Sequence, residues 1–210
     1  MSDVQSLLQV EDQNVRKWGT QLAALMAPDA PVPDVWFDEN REPILPDGVK
    51  QMGFITTDGV SDEESLSSET VQMLQTLNPV RRDLSGIENT IQLAFGEDNA
   101  YVTALRKGVP FEQFPTSSDG AWWFDSGEIT QFPEYRLLIL GQDGIGAQAR
   151  YRVIFAYRVT LIAKEARTMN RSDAETHGVT FGLMRDGKEK KTLSEGQNGP
   201  AYEVPAEPNP

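Results

Sequence analysis

Three groups of side chains in this sequence have the chemistry and spacing of a reactive or ligand-binding site. His177, the single histidine, closely follows Asp173 and Glu175, and an imidazole oriented by a carboxylate can serve as the general base of a serine hydrolase. The acidic run 62–64 offers the carboxylate oxygens that Mg²⁺ and Ca²⁺ prefer. The run 141–146, Gly-Gln-Asp-Gly-Ile-Gly, is rich enough in glycine to wrap a phosphate.

Each group lacks a partner that its chemistry requires. A serine hydrolase also needs a positioned nucleophile, and no G-x-S-x-G sequence is present. The acidic run lacks the spacing of a calcium-binding loop. The glycine run precedes an alternating strand pattern, whereas a dinucleotide site needs a helix whose N-terminus faces the pyrophosphate. We therefore predict that 141–146 is a hairpin turn and that His177 is structural, with no catalytic residue, metal or cofactor.

The composition excludes further classes of function. The 210 residues include 19 Lys and Arg against 32 Asp and Glu, a formal net charge of −13, which disfavours a surface that grips phosphates through cationic side chains. There is no cysteine, so disulfides and thiolate chemistry are excluded. The acidic start and the lack of any stretch near ~18 apolar residues predict a soluble cytosolic protein without a signal peptide or membrane span.

Most of the excess negative charge lies in the first half of the chain. Residues 1–105 carry 6 basic and 18 acidic side chains, a balance of −12, whereas residues 106–210 carry 13 and 14, a balance of −1. Two interpretations stay open. The acidic half is either a solvated surface that aids solubility, or one face of an assembly that repels phosphates or meets a basic partner.

Alternating apolar residues predict a mainly β protein. The clearest pattern covers residues 150–163, with apolar side chains at every second position from Tyr151 to Ala163. Such a strand would be about 46 Å long at ~3.3 Å per residue, which favours projection beyond a small core and pairing with another subunit. Further strands are predicted at 52–57, 89–95, 121–124, 135–140 and 179–184.

The remaining segments predict one helix and several loops. The helix covers residues 97–107, with acidic residues first, basic residues last and Gly108 as its stop. Residues 61–77 are ambiguous between a helix begun by a capping box and a long polar loop. Residues 18–26 are equally ambiguous by period. Proline-rich loops are predicted at 27–33 and 43–48, and an extended tail at 199–210.

Several short motifs then occur in a recognisable order. They are Ala27-Pro28, Met-Gly-Phe-Ile-Thr-Thr-Asp-Gly-Val at 52–60, Asn-Pro-Val-Arg-Arg at 78–82, Glu-Tyr-Arg-Leu-Leu-Ile at 134–139, and Thr-Met-Asn-Arg-Ser-Asp-Ala at 168–174. This order resembles the major tail (tail tube) proteins of long-tailed bacteriophages, particularly those of actinobacteria, over residues 14–187. The sequence departs from the family at 22–26, where the family has more glycine, and in the acidic stretch 36–42.

The resemblance implies a β-sandwich- or barrel-like tail tube domain over residues 1–187, with one flanking helix, long loops and an extended, proline-containing tail over residues 188–210. Six subunits would form a ring, and stacked rings would enclose the channel for genome DNA. A long loop, Gly59–Arg82, would reach the adjacent ring. The candidate residues for this inter-ring contact are Asp62, Glu63, Glu64, Leu66, Arg81 and Arg82.

The resemblance also implies partners and a location. The partners are other copies of the chain and the tail terminator, tape measure and distal tail proteins, while DNA passes through the lumen without specific binding. The place is the virion tail, assembled in the bacterial cytoplasm. The alternatives are a single-ring tail terminator, a secretion-type tube protein, or a cytosolic hydrolase that uses His177. Deleting residues 61–69 is expected to weaken ring stacking and leave the subunit folded.

Overall fold

A computed structural model describes residues 15–117, 119–128 and 131–199. The acidic start of the chain at 1–14 and the proline-rich end at 200–210 lie outside the described residues, as do the predictions made for them. The described chain has one α-helix, α1 (Ala100–Lys107), and seven strands. The strands are β1 (Thr20–Met26), β2 (Lys50–Val71), β3 (Arg81–Phe95), β4 (Glu134–Asp143), β5 (Arg150–Lys164), β6 (His177–Leu183) and β7 (Leu193–Asn198). The prediction of a mainly β fold with one flanking helix is confirmed.

Six of the strands close into an antiparallel barrel. The order is β4-β1-β2-β3-β6-β5, and β5 pairs again with β4, so the sheet returns to its first strand. β4 and β5 form a hairpin whose turn contains Gly144 at φ 81°. The prediction of a hairpin turn in the glycine run is therefore confirmed. β7 lies outside this closed ring and pairs with the first half of β5.

Inward-facing side chains from all six barrel strands form the main core. Ile91, Leu93 and Phe95 of β3 alternate with small or polar residues, and Phe181 and Val179 of β6 lie opposite Ile91 and Leu93. Val102 and Leu105 of α1 are buried in the same cluster, so the helix packs on the barrel interior. Period-two alternation in the sequence thus has its usual physical cause, one face of each strand being buried.

A second apolar cluster covers the outside of β4 and β5. Met26, Leu138 and Phe155 are buried there against the proline-rich segment that joins β1 to β2. The Trp36 and Phe155 ring centroids lie 4.7 Å apart. This segment contains no strand, as predicted, apart from one bridge between Phe37 and Pro43. The barrel wall is therefore sandwiched between two layers of apolar side chains on this side.

The helix begins later than its sequence suggests. Its N-cap is Asn99, whose side-chain oxygen accepts hydrogen bonds from the backbone N–H groups of Tyr101 and Val102, each at 3.0 Å. Its C-cap is Gly108 at φ 71°, as predicted. The acidic residues 97 and 98 precede the helix, and the Glu97 carboxylate instead accepts the backbone N–H of Phe54 at 2.9 Å.

Removing the N-cap is expected to weaken the fold measurably. Asn99→Ala leaves two N–H groups of the first turn without their acceptor, so the free energy of unfolding should fall by ~1 kcal/mol. Asn99→Ser keeps an acceptor at the same place and should lose less. Urea unfolding of the wild type and the two variants tests this. If both variants lose the same free energy of unfolding, Asn99 does not stabilise the protein by capping the helix.

Three strand expectations need correction. β5 does not project: β4 pairs along one edge, while β7 and β6 share the other, so its whole length is paired within the chain. Residues 121–124 form no strand. A strand there would place Trp122 and Phe124 on one face and Trp123 on the other, so both faces would need apolar cover, and Trp123 is largely exposed. Residues 61–71 are neither helix nor loop but the outer part of β2.

The sheet also continues beyond residue 187, the predicted end of the tail tube domain. β7 lies in the segment predicted as an extended tail, and its polar sequence gives no alternation. Its position is set by pairing with β5 and by a hydrogen bond between the hydroxyls of Ser194 and Tyr157, 2.8 Å apart.

Candidate assembly surface

A two-stranded arm, residues 61–88, projects from the barrel. β6 pairs with β3 only over Asn89–Phe95, and β1 pairs with β2 only as far as Phe54. Beyond these limits β2 and β3 pair only with each other. Every residue of the arm is exposed except Gly86, which is half-buried. At ~3.3 Å per residue the β2 side of the arm is about 36 Å long.

An irregular stretch of β2 separates the arm from the barrel wall. Ile55 pairs with Phe95 and Val60 pairs with Leu93, so β2 uses more residues than β3 between the two pairs. Gly59 lies in this bulge at φ 73°, a conformation that favours glycine. The Ile-Thr-Thr-Asp-Gly-Val motif at 55–60 therefore marks where β2 leaves the barrel.

The pairing register gives the arm two different faces, since residues directly opposite each other in a ladder point to the same side. On the first, the apolar face, Leu66 lies opposite Ile87, and Leu84 lies opposite Ser68. This face continues the inward side of the barrel wall, because Asp62 lies opposite the buried Ile91. On the second, the acidic face, the carboxylates are Glu63, Glu69, Asp83 and Glu88.

The six residues predicted for the inter-ring contact all lie on the arm, but on strands and not in a loop. Their positions divide between its faces. Asp62, Glu64, Leu66 and Arg82 lie on the apolar face, and Glu63 and Arg81 on the acidic face. Arg81 Nε donates to Asp83 Oδ1 at 2.8 Å. The segment that links the two strands covers only residues 72–80.

The apolar face is uncovered. More than half of the surface of each of Leu66, Leu84 and Ile87 is exposed, and Leu74 and Leu77 at the tip are fully exposed. Soluble monomers seldom expose a contiguous apolar patch of this kind unless another molecule covers it. Sequence reasoning named Leu66 but missed Leu84, since a bulge at Ser85 brings Leu84 onto the same face as Ile87.

The outer side of the wall formed by β3 and β6 is lined by short, uncharged residues. They are Thr90, Gln92, Ala94, Gly178, Thr180 and Gly182. β6 has no lysine or arginine, and those of β3 lie at its start in the arm, at Arg81 and Arg82. Gln92 donates to Glu165 at 3.0 Å. The side chains of Glu165 and Ile162 lie over Gly178 and Gly182. The residues that β3 and β6 contribute to this outer wall face therefore include no cation that could hold a phosphate.

A basic patch lies at the opposite end of the barrel from the arm. Arg106 and Lys107 at the end of α1 and Lys164 and Arg167 at and after the end of β5 line a cavity of about 320 Å³. Arg106 donates to the carbonyl oxygens of Gly178 at 3.0 Å and Glu165 at 2.8 Å. Burial and the nearby Arg167 lower the pKa of Arg106. The sequence indicated only that Arg106 and Lys107 end a helix.

His177 is a core residue. Its side chain is fully buried, and in the described part of the chain neither ring nitrogen makes a hydrogen bond; Asp98 Oδ1 lies 3.9 Å from Nε2. Glu175 pairs instead with Arg167 at 3.5 Å, and Asp173 accepts hydrogen bonds from its own loop. Burial, opposed mainly by Glu175, lowers the pKa of His177. A buried neutral ring cannot meet a substrate.

Replacing His177 is expected to flatten the dependence of stability on pH. The folded-state pKa lies below the ordinary value of 6.5, so the unfolded chain binds the proton first and the free energy of unfolding falls as pH drops through 6.5. His177→Leu has no ring to protonate. Urea unfolding at pH 7.5 and 5.5 gives the free energy of unfolding of the wild type and of His177→Leu. If both proteins lose the same amount between the two pH values, the lowered pKa of His177 is contradicted.

Neither metal-binding clusters nor membrane-spanning helices are found in the part of the chain that the structure describes. No group of three or more His, Asp or Glu residues there is arranged to hold a metal ion. No described helix is long and apolar enough to cross a membrane.

Comparison with known proteins gives a distant structural likeness. No protein-family profile and no curated protein matches the sequence. Among solved structures, the chain is similar to one in the cryo-EM structure of the anti-feeding prophage baseplate, 6-fold symmetrised, with 8% identity and a TM-score of 0.43, covering 86% of this chain and 93% of that one. At so low a similarity, the surfaces described above carry the functional argument.

Proposed function

We propose that this chain is a structural subunit that assembles with copies of itself into a phage tail tube. The arm carries the proposal. A hairpin with solvent on both faces is marginally stable on its own, and this one presents Leu66, Leu84 and Ile87 to water. Burial against a second copy would remove that apolar surface from solvent, at about 25 cal/mol per Å². A long exposed arm is costly for a monomer and useful for a polymer.

The outer wall face suits the lining of a DNA channel. Its short neutral side chains give phosphates no cation to bind, and the carboxylate of Glu165, which accepts a hydrogen bond from Gln92 on this face, adds repulsion. Since nucleic acid is retained mainly by lysine and arginine, a wall without them lets DNA slide. We therefore assign this face to the lumen.

The ring of six, the stacking of rings and the partner proteins come from the resemblance to tail tube proteins. The partners would be the tail terminator, tape measure and distal tail proteins, and the place of action the virion tail. The proposal includes no enzymatic activity and no cofactor, in keeping with the buried position of His177.

Electron microscopy of the purified protein tests the proposal. Negative-stain images over a range of concentrations should show rings or tubes with a central channel, with a matching rise in sedimentation coefficient. Single closed rings that never stack would favour the tail terminator alternative. Monomers only, even at virion-like protein concentrations and with tail proteins added, would contradict self-assembly.

A further inference from the structure

We propose that the basic patch of one copy receives the acidic face of the arm of the next copy, so that successive subunits join head to tail. The patch is Arg106, Lys107, Lys164 and Arg167, and the acidic face is Glu63, Glu69, Asp83 and Glu88. The inference rests on the proposed self-assembly and adds the surfaces that make the contact.

The cations of the patch are held in place mainly by uncharged groups. Arg106 donates to two backbone carbonyls, Lys164 Nζ donates to the carbonyl of Arg106 at 2.9 Å, and Lys107 donates to the hydroxyl of Ser126. These acceptors orient the side chains without carrying a charge of their own. The nearby carboxylates of Glu175 and Glu165 offset part of the charge of Arg106. Arg167 alone pairs with a carboxylate, that of Glu175 at 3.5 Å. The patch is thus a preformed cationic site on a chain of net charge −13.

The acidic face carries more carboxylates than cations. Glu69 lies directly opposite Asp83, a like-charge pair that is unfavourable in a ladder. Glu88 lies opposite Ser65, and Glu63 opposite Thr90. Arg81, bonded to Asp83, supplies the one positive charge among the paired residues of this face. A partner that offers three or four cations would relieve the repulsion.

The two surfaces lie at opposite ends of β3. The patch contacts Gly178, which pairs with Ala94 near the end of β3, whereas the arm contains the start of β3. At ~3.3 Å per residue, Ala94 and Asp83 are about 36 Å apart along the strand. A contact between different surfaces at opposite ends is heterologous, and such contacts propagate into rings or filaments. The same chain therefore cannot satisfy both surfaces by itself.

A charge swap tests the contact. Lys107→Glu with Lys164→Glu reverses the patch, and Glu63→Lys with Glu69→Lys reverses the acidic face. Each double variant alone should assemble at least tenfold less readily than wild type, measured as the concentration needed for half-maximal sedimentation, because like charges then meet across the contact. A 1:1 mixture of the two should recover assembly, since every arm again meets a patch of opposite charge.

Controls separate this contact from folding and from general charge effects. Lys188→Glu with Lys190→Glu changes the net charge by the same amount as the patch reversal, but at a site between β6 and β7. This control should assemble as the wild type does. Thermal unfolding confirms that each variant folds, and Lys107→Gln with Lys164→Gln gives a milder patch variant. The proposal is supported if this glutamine variant assembles less readily than the wild type but more readily than the variant with two glutamates.

The outcomes distinguish the two proposals. The head-to-tail contact alone is overturned if the wild type forms tubes and the patch variant assembles equally well. It is also overturned if both double variants fold but their mixture does not assemble. The wild-type chain and the patch variant are also tested for binding to short duplex DNA. If only the wild type binds DNA, and both assemble equally well, the patch serves nucleic acid and the head-to-tail contact is overturned. Wild-type chains that stay monomeric overturn both proposals.

Discussion

Replacing residues 65–88 of the arm by an Asn-Gly turn is expected to give a folded barrel that no longer assembles. Glu64 and Asn89 lie opposite each other in the ladder, so a short turn can join them. The deleted residues bury no side chain in either apolar cluster, and the free energy of unfolding should change by less than ~1 kcal/mol. Assembly should be lost, because Leu66, Leu84 and Ile87 go with the arm.

Circular dichroism, urea unfolding and negative-stain microscopy measure the two effects separately. The smaller deletion of residues 61–69 is the informative comparison. The register now shows that it removes one strand of the arm and leaves its partner, Arg81–Glu88, with exposed backbone groups. Such an edge favours aggregation. Tubes formed by the 65–88 variant would show that the arm has no part in assembly, and an unfolded variant would show that the barrel depends on it.

Phe181→Ala is expected to lower the free energy of unfolding by about 4 kcal/mol. Phe181 is fully buried, and it lies opposite Ile91 on one side and Leu161 on the other. Truncation opens a cavity in the middle of a closed wall, where strands paired on both edges have little freedom to collapse into it. The exposed Phe54 offers a matched control, because Phe54→Ala removes the same atoms from a side chain that is 76% exposed.

Urea unfolding gives both values from the midpoint and slope. Phe54→Ala should stay within ~0.5 kcal/mol of wild type. A loss for Phe181→Ala no larger than that would mean that the barrel interior repacks freely, and the core described here would not be the source of stability.

The sequence predicts the fold best where one face of a strand is buried. Ile91, Leu93 and Phe95 alternate with polar residues, so β3 could be located within the barrel, and the same holds for β5. The resemblance left a sandwich and a barrel open, and alternation alone could not decide between them, because closure depends on pairing β4 with both β1 and β5. β7 gives no signal at all, since its residues are polar and its place is set by its neighbour.

The segment that forms the arm was singled out in the sequence, but its two-stranded form was not predicted, and its part in assembly stays a prediction. The arm is polar on one face and mixed on the other, so residues 61–77 show no period of two and resemble a loop. The resemblance to tail tube proteins drew attention to them nonetheless. The basic patch could not be predicted, because Arg106 and Lys164 are 58 residues apart and only the fold brings the lysine amine onto the arginine carbonyl.

Closure of the barrel limits where the backbone can recruit another chain. All six of its strands lie between two neighbours within the ring, and only β2 and β3 extend beyond it, into the arm. In the described chain, the long stretches of backbone still able to extend the sheet are the two borders of the arm and the free border of β7. Amide hydrogen exchange should therefore slow on oligomerisation at these borders first. The exchange rates of backbone amides in the barrel strands should not change.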